Sequence, residues 1–565
     1  MMQAAGAQEV TQPAAAASAA PAREQARSVV MTRYGIVAAS QTLAAAAGAK
    51  VLEAGGNAVD AAIAANAVLG LVEPTGNGIG GDLFAIVYEA KSGKVYGLNS
   101  SGWAPSGLTP EFLEAKGYKK MPALGIHAVT VPGAVAGWDA LHRKFGRMKW
   151  AQLFTPAATY AEEGFPLTEL IAGAKGWGAV SILKKNPRAQ EVYWPGGVAP
   201  KAGDIFKNPL LAKSLRLIAD QGRDAFYKGA IAQAILAASR EEGGTFTAAD
   251  LEEFEPEWVE PVSTTYRGWT VYELPPNGQG IAALEMLNIM ERFPLNEWGH
   301  NSAKTLHAMI EAKKLAYADM LRYVGDPRFS QIPVAEMASK ELAEKRARLI
   351  DDRKAACKVV PAELKELAGA PGADTIYMAA VDAEGNIVSL IQSNYQGFGS
   401  GVVPPGTGFM LQNRGALFTL ERNHANTLAP RKRPLHTIIP AFMQKDDVRI
   451  GFGIMGGWNQ SQAHAQFVSN VVDHGFNVQW ALEAARFTKE TFEGCDVQVD
   501  RRIPAAVVQE LTRLGHKVRV VGPFSGTMGG GQAVMVNGTG VKFGGSDPRK
   551  DGAAVPQSPG FWGGR

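Results

Sequence analysis

The segment TIYMAAVDAEGNIVSLIQS, from Thr375 to Ser393, constrains the fold more than any other stretch of the chain. Two apolar runs flank AEGN, a turn signal, so they read as two strands. Neither run alternates apolar with polar residues, and strands of that kind are buried on both faces. Something must therefore cover each side. Helical sequence is available for it. SQTLAAAAGAKVLEAGGNAVDAAIAANAVLGLVEP reads as two helices, the first ended by Gly55-Gly56, the second capped by Asn57 and closed by Glu73-Pro74. SQAHAQFVSNVVDHGF and VQWALEAARF supply more helix downstream. Layered α/β, with helices outside two sheets, is the expected fold class.

The remaining sequence narrows the partners. Of 565 residues, 46% are hydrophobic and 20% charged, a globular balance. The formal net charge is +3 and the most basic run is only Arg431-Lys432-Arg433, so no nucleic-acid partner is expected. Two cysteines, Cys357 and Cys495, are too few for a disulfide framework and lack a CxxC spacing. Nine histidines show no HExxH or comparable spacing, so no metal and no cofactor is expected. No run of 18 apolar residues predicts a membrane span. Residues 1–30, rich in Ala and Pro, read as a disordered leader. Its AAGA fits the small-residue end of a removed export signal, and equally a plain flexible tail. The middle reads as mostly helical over residues 148–242 and 302–323, and no internal repeat is present. GNGIGG, Gly76 to Gly81, precedes a strand instead of following one, which argues against a dinucleotide loop and for close backbone approach near the core or a site.

Thr375 follows an aspartate at the start of the first buried strand. Most threonines there are structural. A threonine hydroxyl becomes a nucleophile only with a base. No GxSxG elbow is present, since Gly397-Phe398-Gly399-Ser400-Gly401 centres on glycine. Cleavage before Thr375 would supply a base: the new α-amino group, titrating at roughly 7.7–8.0.

A larger pattern raises that possibility. LEAGGNAVDAAIAANAVLGLVEPTGNGIGGDLFAIVYE, VTVPGAVAGW, PPNGQGIAALEMLNIME, EAKKLAYADMLRYVGDPRF, GFGSGVVPPGTGF, KRPLHTIIP, GIMGGWNQSQ and GGSDPRKDG occur in order along nearly the whole chain after about Val30. In these motifs the chain resembles the γ-glutamyltransferases, N-terminal-nucleophile hydrolases. The resemblance implies a four-layer αββα sandwich. It also implies a proenzyme that cleaves between Asp374 and Thr375 into a large subunit, 31–374, and a small one, 375–565, intertwined as one domain. Thr375 would be nucleophile and α-amino base. Ser393 falls at the family's second hydroxyl, which bonds the nucleophile, although a strand serine bonded to backbone is the plainer reading. Gly456 and Gly457 match the oxyanion-hole pair, where backbone N–H groups without Cβ atoms can approach a tetrahedral oxygen. The implied partners are a small-molecule amide and a water or amine acceptor. Export to the periplasm or medium is expected from the family.

The departures concern substrate. Thr375-Ile376-Tyr377 replaces the usual Thr-Thr-His. Ser101 stands at the family's carboxylate-binding Arg, Tyr395 at its Asn, and Arg414 and Leu417 at the Gln and Asp that hold the α-carboxylate and α-amine. His436-Thr437 replaces a Ser-Ser pair. Loss of an Asp–ammonium contact alone removes roughly 1.5–3 kcal/mol. Arg414 offers a guanidinium for a carboxylate, or serves as a plain salt-bridge partner. The segment Ala416 to Arg431 is short beside family members with a lid, which implies an open cleft. γ-Glutamyl amides such as glutathione remain the family default, with a glutaryl or cephalosporin-acylase-like specificity as the alternative. An uncut, non-catalytic binding protein is the reading from another class.

Overall fold

The computed structural model describes residues 25–173, 177, 182–183, 186–363 and 374–560. Two seven-stranded antiparallel sheets dominate it. The first runs in the order Ala553–Pro556, Ile36–Ala39, Asp374–Val381, Ile387–Tyr395, Asp82–Glu89, Lys94–Ser100, Glu257–Val259. The second runs Val30–Thr32, Lys542–Ser546, Gly531–Val536, Val448–Ile454, Ala441–Lys445, Trp269–Glu273, Val262–Tyr266.

The side chains of the Thr375 strand show why it has no polar face. Tyr377, Ala379 and Val381 point between the sheets, against Phe442 and Val534. Ile376, Met378 and Ala380 point the other way, into a core shared with helices Thr42–Glu53 and Ala58–Val72. The second sheet turns Val271, Met443, Ile450 and Phe452 outward onto helices Gly280–Met290, Ala303–Tyr323 and Asn459–Val472. The result is helix, sheet, sheet, helix. Sheet contact is close because Gly453 lacks a side chain: a Cβ there would lie 2.4 Å from the Tyr377 ring.

The local signals act as expected. Gly55, at φ +93°, follows the first helix, and Asn57 and Asp60 form a reciprocal capping box on the second. Among its described residues, the region 148–242 is mostly helical, interrupted by a small pair of strands, Phe165–Pro166 and Ile205–Phe206. Residues 1–24 of the expected leader lie outside the described residues. Residues 25–30 belong to the fold: the Arg27 N–H donates to the Glu483 carboxylate at 2.8 Å, and Val30 starts a strand paired with Lys542–Ser546. The last residues of the expected leader, 25–30, are thus part of the fold. The two cysteines, too few for a framework, form one disulfide, Cys357–Cys495. Among the described residues, no helix is long and apolar enough to cross a membrane.

Candidate active site

The strand Asp374–Val381 enters its sheet through an irregularity. Ile376 is opposite Gln392 but Asp374 is opposite Tyr395, so the partner strand carries one extra residue beside Thr375. Tyr395 takes a positive φ of 76° there. Its N–H donates to Ser393 Oγ at 2.8 Å, and the Thr375 hydroxyl donates to the same oxygen at 3.3 Å. Gln460, in the first turn of helix Asn459–Val472, turns its Nε2 toward Thr375 Oγ1 at 3.4 Å. Its Oε1 accepts from the Ile439 N–H at 3.0 Å, which fixes the amide's orientation. Thr375 and Ser393 are fully buried.

The glycine-rich loop before strand Asp82–Glu89 lies against this site. A Cβ on Gly81 would sit 2.5 Å from the Ser393 carbonyl oxygen, and one on Gly76 would touch the Thr375 carbonyl at 3.4 Å. Close backbone approach, not phosphate binding, accounts for these glycines. Gly456 and Gly457 make the turn from strand Val448–Ile454 into helix Asn459–Val472, with φ of +118° and +61°. Gln279 Nε2 donates to the Gly457 carbonyl at 2.7 Å, and the Gln460 N–H donates to it at 3.2 Å. The turn is therefore linked to Thr375 through Gln460.

A second group gathers around Asp82. Its carboxylate accepts from the Gly102 N–H at 2.9 Å and from His436 Nε2 at 3.0 Å. Arg414, on the short 3-10 helix Arg414–Leu417, approaches it only to 3.7 Å through Nε. The Arg414 guanidinium lies 4.6 Å over the Tyr395 ring and donates through Nη1 to Thr437 Oγ1 at 2.7 Å. Among the described residues, its Nε and Nη2 have no hydrogen-bond partner, although the residue is fully buried. Burial pushes Arg414 down to about 10, opposed by Asp82 and Tyr395, so it stays a cation at neutral pH. Burial, helped by Arg414, pushes His436 down to about 4. His436 is thus neutral, with Nε2–H donating to Asp82 and Nδ1 accepting from the Ile438 N–H at 3.3 Å. Burial raises the Tyr395 phenol, which keeps its proton.

The expected residues therefore fall into two joined groups. Thr375, Ser393 and Tyr395 form the first with Gln460. Tyr395, Arg414, His436 and Thr437 form the second with Asp82. Ser101 is drawn aside: its hydroxyl donates to Asn99 Oδ1 at 2.8 Å and accepts from Asn277 Nδ2 at 3.2 Å, and only its neighbour Gly102 reaches Asp82. Leu417 is buried in the second core. Sequence reasoning missed Asp82, Gln279 and Gln460. Each lies inside a motif already noted, after GNGIGG, in PPNGQG and in GGWNQ.

Among the described residues, one trio of possible metal ligands comes together: His307, Glu311 and His516. Its atoms are already engaged, with Lys314 Nζ 2.6 Å from Glu311 Oε1 and His307 Nδ1 2.8 Å from His516 Nε2. The trio lies beside the disulfide, where Glu311 Oε2 accepts from the Ala356 N–H.

Known proteins match the chain over nearly its whole length. The Gamma-glutamyltranspeptidase family matches residues 44–557. A glutathione hydrolase-like YwrD proenzyme of Bacillus subtilis is 38% identical over 94% of this chain and 99% of its own length. An oxamate amidohydrolase proenzyme of Klebsiella pneumoniae is 34% identical over 93% and 99%. The crystal structure of a cephalosporin acylase from Bacillus halodurans superposes with a TM-score of 0.87 at 42% identity, covering 98% of this chain and 99% of that one.

Proposed function

Because this chain belongs to the γ-glutamyltranspeptidase family, whose members are hydrolases or transferases, we propose that it is a proenzyme that cuts itself before Thr375 and then hydrolyses or transfers acyl groups that carry a free carboxylate but no ammonium, such as glutaryl. The buried Arg414, with two guanidinium donors unused, carries the substrate part of this reading.

Self-cleavage begins with attack of Thr375 Oγ on the Asp374 carbonyl carbon. The C–N bond breaks, the nitrogen gains the hydroxyl proton, and an ester joins Asp374 to Oγ. Water opens the ester, leaving an Asp374 carboxylate and an N-terminal Thr375. The Ser393 hydroxyl and the Gln460 amide, both in contact with the Thr375 hydroxyl, are not bases at neutral pH. Once the cut is made, the new α-amino group is the base. In the mature enzyme it takes the Oγ proton as Oγ attacks an amide. The Gly456–Gly457 turn, at the positive end of helix Asn459–Val472, supplies donors for the oxyanion. The amine leaves with the proton, and water or another amine accepts the acyl group.

Arg414 separates the acyl groups. A carboxylate reaching Nε and Nη2 would satisfy both orphan donors. Asp82 is occupied by Gly102 and His436, and Leu417 offers no charge, so the second group has no ready partner for an ammonium. Oxamate, named for the Klebsiella relative, also joins a carboxylate to an amide without an ammonium. The competing reading, γ-glutamyl amides, is favoured by the relatives named glutathione hydrolase. Turnover of glutaryl and γ-glutamyl anilides by the mature protein decides between them. Higher kcat/KM for glutaryl supports the proposal; equal or better γ-glutamyl turnover refutes it. The disulfide fits export to an oxidising compartment.

A further inference from the structure

We propose that Cys357–Cys495 is an inter-subunit cross-link that makes the self-cleaved protein one covalent unit. The inference rests on the cut before Thr375, because that cut leaves Cys357 on the large chain and Cys495 on the small one. The chain contains only two cysteines, so no other disulfide can join the halves.

The surroundings show a stitch between the two halves. On the large-chain side, the Ala356 N–H donates to Glu311 Oε2 at 3.2 Å and Lys314 Nζ donates to the Ala356 carbonyl at 3.0 Å, both from helix Ala303–Tyr323. On the small-chain side, the Ala355 N–H donates to the Leu514 carbonyl at 2.7 Å, and the Gly494 N–H to the Cys357 carbonyl at 3.0 Å. Downstream, Arg346 Nη1 donates to the Val360 carbonyl at 3.0 Å and Tyr323 Oη to the Ala362 carbonyl at 2.6 Å. The end of the large chain is thus pinned up to Ala362, and the disulfide ties that pinned segment to the small chain.

The bond changes how the mature protein unfolds. Two separate chains come apart on unfolding, so their stability depends on protein concentration. Chains joined at Cys357 and Cys495 unfold as one molecule, and their midpoint does not. Closing the bond removes two electrons and two protons from the thiols, and a disulfide-donating oxidoreductase of the export compartment would accept them. Cys357 is exposed while Cys495 is buried, so a reductant reaches the bond from the large-chain side.

The test uses the full-length mature protein, denatured in N-ethylmaleimide and run on gels with and without dithiothreitol. One band without reductant that splits in two with it is the expected result. Two bands without reductant overturn the cross-link while leaving self-cleavage intact. One band that dithiothreitol does not split shows an uncut chain, which removes both the cut and the cross-link. The Cys357→Ser variant should separate without reductant and acquire a Tm that rises with protein concentration, whereas the wild-type Tm stays fixed. A concentration-independent Tm in a fully cut variant would overturn the stated consequence.

Discussion

Replacing Arg414 tests the substrate reading at the level of single atoms. Its guanidinium donates through Nη1 to Thr437 and approaches Asp82 no closer than 3.7 Å, while Nε and Nη2 have no hydrogen-bond partner among the described residues. A bound carboxylate would take both. Two charge-assisted bonds at roughly 1.5–3 kcal/mol each give about 3–6 kcal/mol. At 1.4 kcal/mol per decade, that is about a hundredfold to ten-thousandfold in kcat/KM. Arg414→Met should therefore lower kcat/KM for a glutaryl anilide by that factor and leave a butyryl anilide, which lacks the carboxylate, nearly unchanged. Arg414→Lys keeps the charge but not the fork and should fall between. The alternative is that Arg414 only balances the Asp82 charge. Asp82 already accepts from Gly102 and His436, so that role predicts a general loss of stability. Equal loss on both anilides, in a variant that still cuts itself, would refute carboxylate recognition.

Gln460→Ala removes a long, neutral contact to Thr375 Oγ1, worth about 0.5–1.5 kcal/mol. Self-cleavage and turnover should both slow by up to about tenfold with KM unchanged, measured by stopped gel time courses and steady-state kinetics. A selective rise in KM would place Gln460 in substrate binding instead. Acid stability should expose His436, whose folded-state value is pushed down to about 4 by burial and Arg414. The unfolded histidine takes its proton near 6.5 and the folded one does not, so stability is full above that pH and declines as pH falls toward 4. The shift corresponds to about 3 kcal/mol. Calorimetry between pH 7 and 4.5 should show a shallower decline in His436→Gln; identical declines would remove His436 as the cause.

The fold was legible where local pattern and burial coincide. Consecutive apolar residues in both strands after Thr375 reported two covered faces, and Tyr377 and Met378 do point into different cores. Gly55 and Asn57 marked their helix ends by backbone freedom and side-chain capping. Strand order was not legible, because the pairing of Met378 with Ala39 joins distant parts of the chain. The same limit hid part of the site. Arg414 was visible as a change of charge, but its companion Asp82 follows a glycine loop near the other end of the sequence, and nothing local connects them. Ser101 kept the family's position but turned to Asn99 and Asn277, since a short hydroxyl bonds to its nearest amides. Two cysteines gave no sign of partnership, because pairing depends on where residues 357 and 495 meet in space.

The proposed chemistry requires Thr375 to become an N-terminus. Intact-mass analysis and N-terminal sequencing of the reduced, purified protein measure that directly. The predicted result is two chains, the smaller starting at Thr375, with the cut lost in Thr375→Ala and retained in Thr375→Ser. A single 60.0 kDa chain after prolonged incubation, or the same cut in Thr375→Ala, would contradict it.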